Sequence, residues 1–437
     1  MRKRQALTSL LLSLLFIVVY GATSWITAHR SDVGTLYFAW ERYIPFVPLM
    51  IIPYMSIDLF FVVAPFLCKS DEERKLFARR ITAAILVAGT CFLIMPLRFA
   101  FPRPFVGGWL GPIFTFLHGF DQPYNLLPSL HIALRTLLAE VYGRHSRSYW
   151  RMLSHIWFSL IGLSTVLTYQ HHVLDLVGGF TLAALCFYFI QPKVPRLEVV
   201  PNIRVGSYYL AGAAMLAIVA VVFWPWGVIL FWPALSLGLA ASAYWGLGPF
   251  VYRKIGGRLP LAAQIVLAPL FAGQYLSLKY YQRHCHPWDE VAPGVFLGRR
   301  LTKREAEGLK GKVKAVLDLT AEFSATNGFV NDNYLNIPIL DLTAPTLQHL
   351  QRAVGFIEAH SKSGIVYVHC KIGYSRSAAV VAAYLLKTGL AKTAEEAIQM
   401  IRTARPPVII RPEARRAILL FEESLRKSPQ DQPSIAH

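Results

Sequence analysis

The chain has 437 residues, a mean hydropathy of +0.42 and only 16% charged residues. Soluble domains carry about 25% charged residues, so this balance points to a membrane protein. The formal net charge of +19 divides as +14 over residues 1–283 and +5 over 284–437, with the excess mainly in short loops between apolar runs. A nucleic-acid protein would gather that charge on one soluble face; loops of this kind are instead held on the cytoplasmic side of a membrane, and no nucleic-acid partner is expected. Cys68, Cys91, Cys186, Cys285 and Cys370 show no paired spacing and no Cys-x-x-Cys. That argues against a disulfide framework or a zinc site, and neither metal nor cofactor is expected.

Met-Arg-Lys-Arg opens the chain and an apolar stretch from Ala6 to about Ala28 follows, without a small-residue cleavage site. It reads as an uncleaved first span. Apolar segments at 6–27, 46–68, 81–97, 129–143, 150–168, 174–191, 206–223, 227–247 and 260–278 are candidate transmembrane helices. Charged stretches at 69–80, 144–151, 193–204 and 253–258 all fall inside if Met1 is cytoplasmic, as the positive-inside rule asks. The uncharged loops, including 99–127 and 168–172, then fall outside. Eight spans agree with this scheme. The ninth segment holds Pro260, Pro269 and Gly273 and decides the side of everything after it. A crossing, which span counting favours, puts the C-terminal part outside. An interfacial or re-entrant course keeps it in the cytoplasm, where a free thiolate is safer.

From residue 284 the sequence resembles an ordinary globular domain, with strands expected at 295–297, 313–319, 334–339 and 365–369. Helical periodicity follows at 346–360, 375–387, 394–403 and 412–426. The alternation predicts an α/β domain with a central, mostly parallel sheet flanked by helices. Three regions are expected: a multi-pass helical membrane domain over 1–283, the α/β domain over 284–427, and a disordered polar tail over 428–437.

Residues 368–377, Val-His-Cys-Lys-Ile-Gly-Tyr-Ser-Arg-Ser, follow a strand and open a helix. Between Cys370 and Arg376 the backbone N–H groups can curl toward one point at a helix N-terminus, an anion nest. Gly373 permits the tight turn in the middle. Arg376 places a planar fork of donors on two phosphate oxygens. The same field lowers the pKa of Cys370 and makes it a nucleophile at neutral pH. Ser377 is placed to hydrogen-bond the sulfur, Ser375 lies in the loop, and His369 fixes it from behind. A leaving alkoxide needs a proton, and Asp341, at the end of a strand, is the expected general acid. Hydrolysis of a cysteinyl-phosphate would complete the cycle.

The Cys-x-x-Gly-x-x-Arg loop, with Val-x-Val-His before it and a small-residue helix after it, resembles the dual-specificity branch of the protein tyrosine phosphatases over about residues 291–425. His-Cys-Lys-x-Gly-x-Ser-Arg-Ser is similar to the loop of the mitochondrial phosphatidylglycerophosphate phosphatase. The resemblance implies that fold, no metal, the roles given to Cys370, Arg376 and Asp341, and a lipid phosphate as substrate. Lys371 fits this as an extra cation for an anionic phospholipid.

In the membrane part, Phe-Pro-Arg-Pro at 101–104, Pro-Ser-Leu-His at 128–131, and Ser164-Thr165 leading to His-His-Val-Leu-Asp at 171–175 face one side. His171 and Asp175 are four apart on a helix face, where a carboxylate can hold an imidazole in one tautomer. These pieces resemble the type-two phosphatidic acid phosphatase superfamily over about residues 80–190. The resemblance implies His171 as nucleophile, Asp175 as its orienter, His131 as general acid, and Arg103 and Ser129 as phosphate binders. The family's upstream lysine falls on Pro96, although Arg98 could substitute, and its later arginine falls on Thr165, so two of three phosphate cations are missing. With Leu130 in place of the usual glycine, the site looks more like the inositol-phosphoceramide synthase branch. His172 is off-register and is not expected to be catalytic.

The combination is expected to be a bacterial fusion in the inner membrane, acting on phospholipid head groups within the bilayer. It would hydrolyse phosphate monoesters at Cys370 and carry a second lipid phosphatase or phosphotransferase site. The alternatives are a head-group transferase with an accessory phosphatase domain, or a membrane-tethered protein tyrosine phosphatase.

Overall fold

The computed structural model describes residues 1–192, 199–327, 329–330 and 333–427, so the tail expected at 428–437 lies outside the described residues. The chain falls into two compact units, Met1–Val194 and Pro195–His437.

The first unit is built from α1 (Arg2–Ala28), α2 (Ile51–Leu67), α3 (Asp71–Ile94), α4 (Gly111–Phe120), α5 (Leu130–His145), α6 (Ser148–Leu167) and α7 (Val173–Phe189). Most of the charged stretch at 69–80 is not a loop but the start of α3. Ser70 caps it by accepting the Glu73 N–H, and three acidic residues sit at the positive end of its dipole. Ile81, Ala84, Ile85 and Ala88 of α3 meet Leu134, Leu137 and Leu138 of α5 and Phe158 and Ile161 of α6 in one core. Leu10, Leu14, Ile17 and Trp25 of α1 stay exposed, as a lipid-facing surface allows.

Among the described residues, five helical stretches are long and apolar enough to cross a bilayer: Arg2–Ala28, Pro48–Leu67, Asp71–Ile94, Ile203–Val222 and Trp226–Tyr252. α7 is apolar but has only 17 residues. The segments at 129–143 and 150–168 become α5 and α6, and several of their polar groups are met inside the bundle. Arg135, for instance, donates to the Phe158 carbonyl at 3.1 Å.

The second unit opens with α8 (Ile203–Val222) and α9 (Phe231–Ser242). The ninth apolar segment breaks into α10 (Leu261–Val266) and α11 (Ala268–Gln282). Pro269 stands in the first turn of α11, where its missing N–H costs nothing, and neither helix is long enough to span.

The α/β domain follows as β1 (Trp288–Ala292), β2 (Val295–Arg299), α12 (Lys303–Gly308), β3 (Val313–Thr320), β4 (Tyr334–Ile339), α13 (Leu347–Ser361), β5 (Ile365–Cys370), α14 (Arg376–Lys387), α15 (Ala394–Ala404) and α16 (Pro412–Lys427). The sheet order is β1-β2-β5-β3-β4, parallel except for β1 against β2. All four predicted strands and four helices of this domain are present. β1 and α12 are additions; β1 is a short edge strand with two acidic residues, and α12 has six residues started by a Thr302–Glu305 capping box. Residues 376–386 of α14 are buried throughout, as in a helix packed on all sides. β5 therefore ends at Cys370 in the core, and the loop to Arg376 is clamped between a central strand and a central helix.

Candidate active site

Gly373 is the hinge of the 370–376 loop. Its φ is +81°, and a Cβ there would stand 2.6 Å from the Gly298 carbonyl oxygen and 3.0 Å from the Arg299 nitrogen. Only glycine fits both the conformation and the space. The Ile372 and Gly373 carbonyls turn away from the sulfur and accept from buried Arg405, each at 3.2 Å. With its carbonyls held outward, the loop can turn N–H groups inward, and the Gly373 N–H lies 3.3 Å from Cys370 Sγ. Ser377 Oγ donates to the same sulfur at 3.3 Å. The Ser375 hydroxyl is buried without a hydrogen-bond partner among the described residues.

Arg376 is 2% exposed and makes a two-pronged pair with Glu322, Nη1 to Oε2 at 3.1 Å and Nη2 to Oε1 at 2.7 Å. It also donates to the Ile339 carbonyl (2.8 Å) and to Asp341 Oδ1 (3.2 Å). The Lys371 side chain is 9% exposed, with its amine 3.5 Å from Asp341 Oδ2 and 3.0 Å from Ser277 Oγ. Lys371 and Arg376 therefore converge on Asp341, beside the sulfur of Cys370.

Burial alone would push the Cys370 thiol up, but the Arg376 guanidinium and the hydrogen bonds from Ser377 and Gly373 outweigh it. They hold the thiol below its ordinary value. Asp341 follows the same pattern: burial raises it, while Arg376 and Lys371 bring it below the usual carboxylate range. Behind the loop, burial is the main reason that His369 titrates below an ordinary histidine, although neighbouring Asp318 works in the opposite sense.

Glu322 and Arg405 escape sequence reasoning. Each is a lone charged residue in an unremarkable context, and only the fold places one under the guanidinium and the other behind the loop.

His131 and His171 line a cavity of about 320 Å³ together with Tyr54, Asp58, Asp121 and Asn125. His131 stacks on Tyr54, ring centres 4.3 Å apart, and its Nε2 has no partner among the described residues. His171 Nδ1 is 3.5 Å from Asp175 Oδ2, in ion-pair reach but outside hydrogen-bond geometry. That same oxygen accepts the His172 N–H at 2.8 Å, so Asp175 also caps α7. Ser129 is fully buried and caps α5 through the Ile132 N–H. Arg103 donates to the Asp121 carbonyl (2.8 Å) and to Gln170 Oε1 (2.9 Å). His172 is enclosed, paired with Glu41 at 2.9 Å and stacked on Phe99.

Residues 295–424 match the dual specificity phosphatase catalytic domain, and residues 50–189 match the PAP2 superfamily. Phosphatidylglycerophosphatase and protein-tyrosine phosphatase 1 from Homo sapiens is 44% identical over 140 residues, covering 29% of this chain and 68% of its own length. The chain belongs to the dual-specificity phosphatase family. Dual specificity protein phosphatase 12 from Mus musculus is 40% identical over 122 residues, 27% of this chain and 36% of that protein. This chain thus spans about a third of the length of several dual-specificity relatives that it matches. A crystal structure of PTPMT1 is 28% identical, covering 32% of this chain and 96% of that one, with a TM-score of 0.29. The chain thus joins a helical PAP2-superfamily region to a dual-specificity phosphatase domain, whose class is the phosphoric monoester hydrolases.

Proposed function

We propose that the dual-specificity domain, over 284–427, hydrolyses phosphate monoesters on phospholipid head groups, phosphatidylglycerophosphate first among them. The convergence of Cys370, Arg376, Lys371 and Asp341 carries this reading. The Cys370 thiolate attacks phosphorus, an S–P bond forms, and the head-group C–O–P bond breaks at its P–O link. The departing alkoxide takes its proton from Asp341, and water then attacks the cysteinyl-phosphate to release inorganic phosphate and the thiolate. Gly373, Ser375 and Ser377 shape the nest, and Arg376 holds two phosphoryl oxygens.

In the free site Asp341 is ionised beside Arg376 and Lys371. A phosphate dianion placed between them would draw both cations to itself and raise the carboxyl's affinity for a proton. Substrate would therefore arm its own general acid. The 44% identity to a protein named as a phosphatidylglycerophosphatase and protein-tyrosine phosphatase supports both a lipid and a phosphotyrosine substrate. Joining the domain to helices of membrane-spanning length favours the lipid.

The PAP2-like region would provide a second site on lipid phosphate in the multi-pass part of an inner-membrane protein. His171 would be its nucleophile, Asp175 the orienter, His131 the proton donor, and Arg103 and Ser129 the phosphate contacts. The unpartnered nitrogens of both histidines beside the cavity support this reading. Head-group transfer, as in the inositol-phosphoceramide synthase branch, suits it better than monoester cleavage, because Asp58 and Asp121 oppose a dianion there.

The test is phosphate release by the full chain from a panel of lipid monoesters and phosphotyrosine peptides, with Cys370→Ser beside it. Lipid turnover that disappears in the variant is expected. Turnover of peptides alone would move the substrate to protein.

A further inference from the structure

Groups from outside the α/β domain reach its candidate site at three points. Asn202 caps α8, and its N–H donates to the Tyr244 carbonyl (2.9 Å) near the end of the stretch Trp226–Tyr252, so Asn202 and the following Lys254 lie at one end of a helical hairpin. The Lys254 side chain is 1% exposed, and its amine donates to Asp318 Oδ2 (2.7 Å), the Thr320 carbonyl (2.8 Å) and Thr320 Oγ1 (3.0 Å). Asp318 pairs with His369 in the β3–β5 ladder, with Oδ1 3.8 Å from His369 Nε2. Lys254 thus neutralises the carboxylate behind the residue that precedes Cys370.

The second point is the acid's own loop. Leu342, next to Asp341, has a φ of +59°, a left-handed conformation that a side chain seldom adopts unless its surroundings hold it. Asn202 Nδ2 donates to the Leu342 carbonyl at 2.8 Å. The third is Ser277 of α11, which accepts from the Lys371 amine beside Asp341.

We propose that the helical segment before the α/β domain completes the phosphatase site, with Lys254, Asn202 and Ser277 as positioning residues for Cys370, Asp341 and Lys371, on the membrane face that carries Arg204 and the basic stretch 253–258. That face is the cytoplasmic one by the positive-inside rule. A lipid phosphomonoester in the same leaflet would meet a site assembled at its own depth, so the bilayer itself restricts the substrate class. The proposal rests on the reading of Cys370 as the nucleophile.

Full-length variants in anionic phospholipid vesicles test it. Lys254→Met leaves Asp318 uncompensated near Cys370. Alkylation of Cys370 by iodoacetamide at pH 6 is expected to slow, by at most about tenfold for each unit that the thiol pKa rises. kcat should fall with KM little changed, and Lys254→Arg should restore both. Asn202→Ala is expected to lower kcat about tenfold on an alkyl lipid phosphate and less on an aryl phosphate, whose leaving group needs little proton assistance. Should Lys254→Met fail to fold, Asn202→Ala and Ser277→Ala carry the test, since neither strands a charge. Wild-type kcat on both substrates in the folded variants would reduce the contacts to docking and overturn the proposal. For the side assignment, a membrane-impermeant thiol reagent applied to sealed right-side-out vesicles should spare Cys370 until lysis, and labelling before lysis would contradict it. Undiminished phosphate release by Cys370→Ser would instead overturn the reading of the site beneath the proposal.

Discussion

Around Cys370, two cations and a helix N-terminus converge on one point, and the carboxylates beside them, Glu322 and Asp341, are already paired. Around His131 and His171 the cavity is mostly apolar, two aspartates line it, and Arg103 is committed to Asp121 and Gln170. Both regions hold a candidate nucleophile and a candidate proton donor, Cys370 with Asp341 and His171 with His131. What separates them is the charge that each can receive. A phosphomonoester dianion finds compensation in the first and opposition in the second, where a singly charged diester or a polyhydroxy acceptor fits better.

The largest effect should come from Cys370→Ser. Loss of the thiolate is expected to cut phosphate release by about 10⁴-fold or more, read as initial rates, with the fold intact by circular dichroism. If the membrane cavity were instead the main monoester site, the rate would barely change and the contrast would collapse.

Arg376→Lys comes next. A point charge cannot reproduce the two-pronged grip on Glu322 or on a phosphoryl group, so kcat/KM should fall about 10²–10³-fold. Thermal melting should also drop, because Glu322 is left poorly paired in the interior.

Asp341→Asn should cost about 10²-fold on an alkyl lipid phosphate and much less on an aryl phosphate. The pH profile sharpens this. Cys370 must be ionised, and its pKa lies below the ordinary value, so activity is gained early as pH rises. Asp341 must be protonated, and in the free site its pKa also lies below the usual range, so kcat/KM is lost as pH rises further. The optimum should therefore lie on the acid side of neutrality. Asn at 341 should remove the alkaline fall.

Gly373→Ala forces a Cβ against the Gly298 carbonyl at a positive φ. About 1–3 kcal/mol of stability should be lost, together with roughly tenfold in kcat as the nest opens. The smallest effect on monoester release should come from His171→Ala. Head-group transfer between lipids is expected to vanish, while phosphate release at Cys370, which draws on a separate set of residues, stays within about twofold.

The sequence announced the α/β domain well because its signals are local. The 365–369 run, Gly373 and Arg376 lie within a dozen residues, and loop chemistry constrains each type. Asp341 was legible as the polar end of a strand. Glu322, Arg405 and Lys254 were not, since their partners lie 54, 116 and 64 positions away. No periodicity encodes such pairings. Lys371 shows the same limit from the other side: its identity reads as an extra cation for an anionic phospholipid, and the fold nearly buries it against Ser277 and Asp341. In the membrane part, hydropathy located the helices, but it could not tell a long apolar span from a shorter helix such as α5, which carries His131, Arg135 and Glu140 among its apolar residues. The ninth apolar segment was ambiguous for the same reason, and Pro269 breaks it into two short helices.

The most direct test of the account is phosphate release from phosphatidylglycerophosphate by the full chain in vesicles, comparing wild type, Cys370→Ser and His171→Ala. A silent cysteine variant and a histidine variant close to wild type are expected. A silent histidine variant beside an active cysteine variant would contradict it and move the monoester chemistry into the membrane.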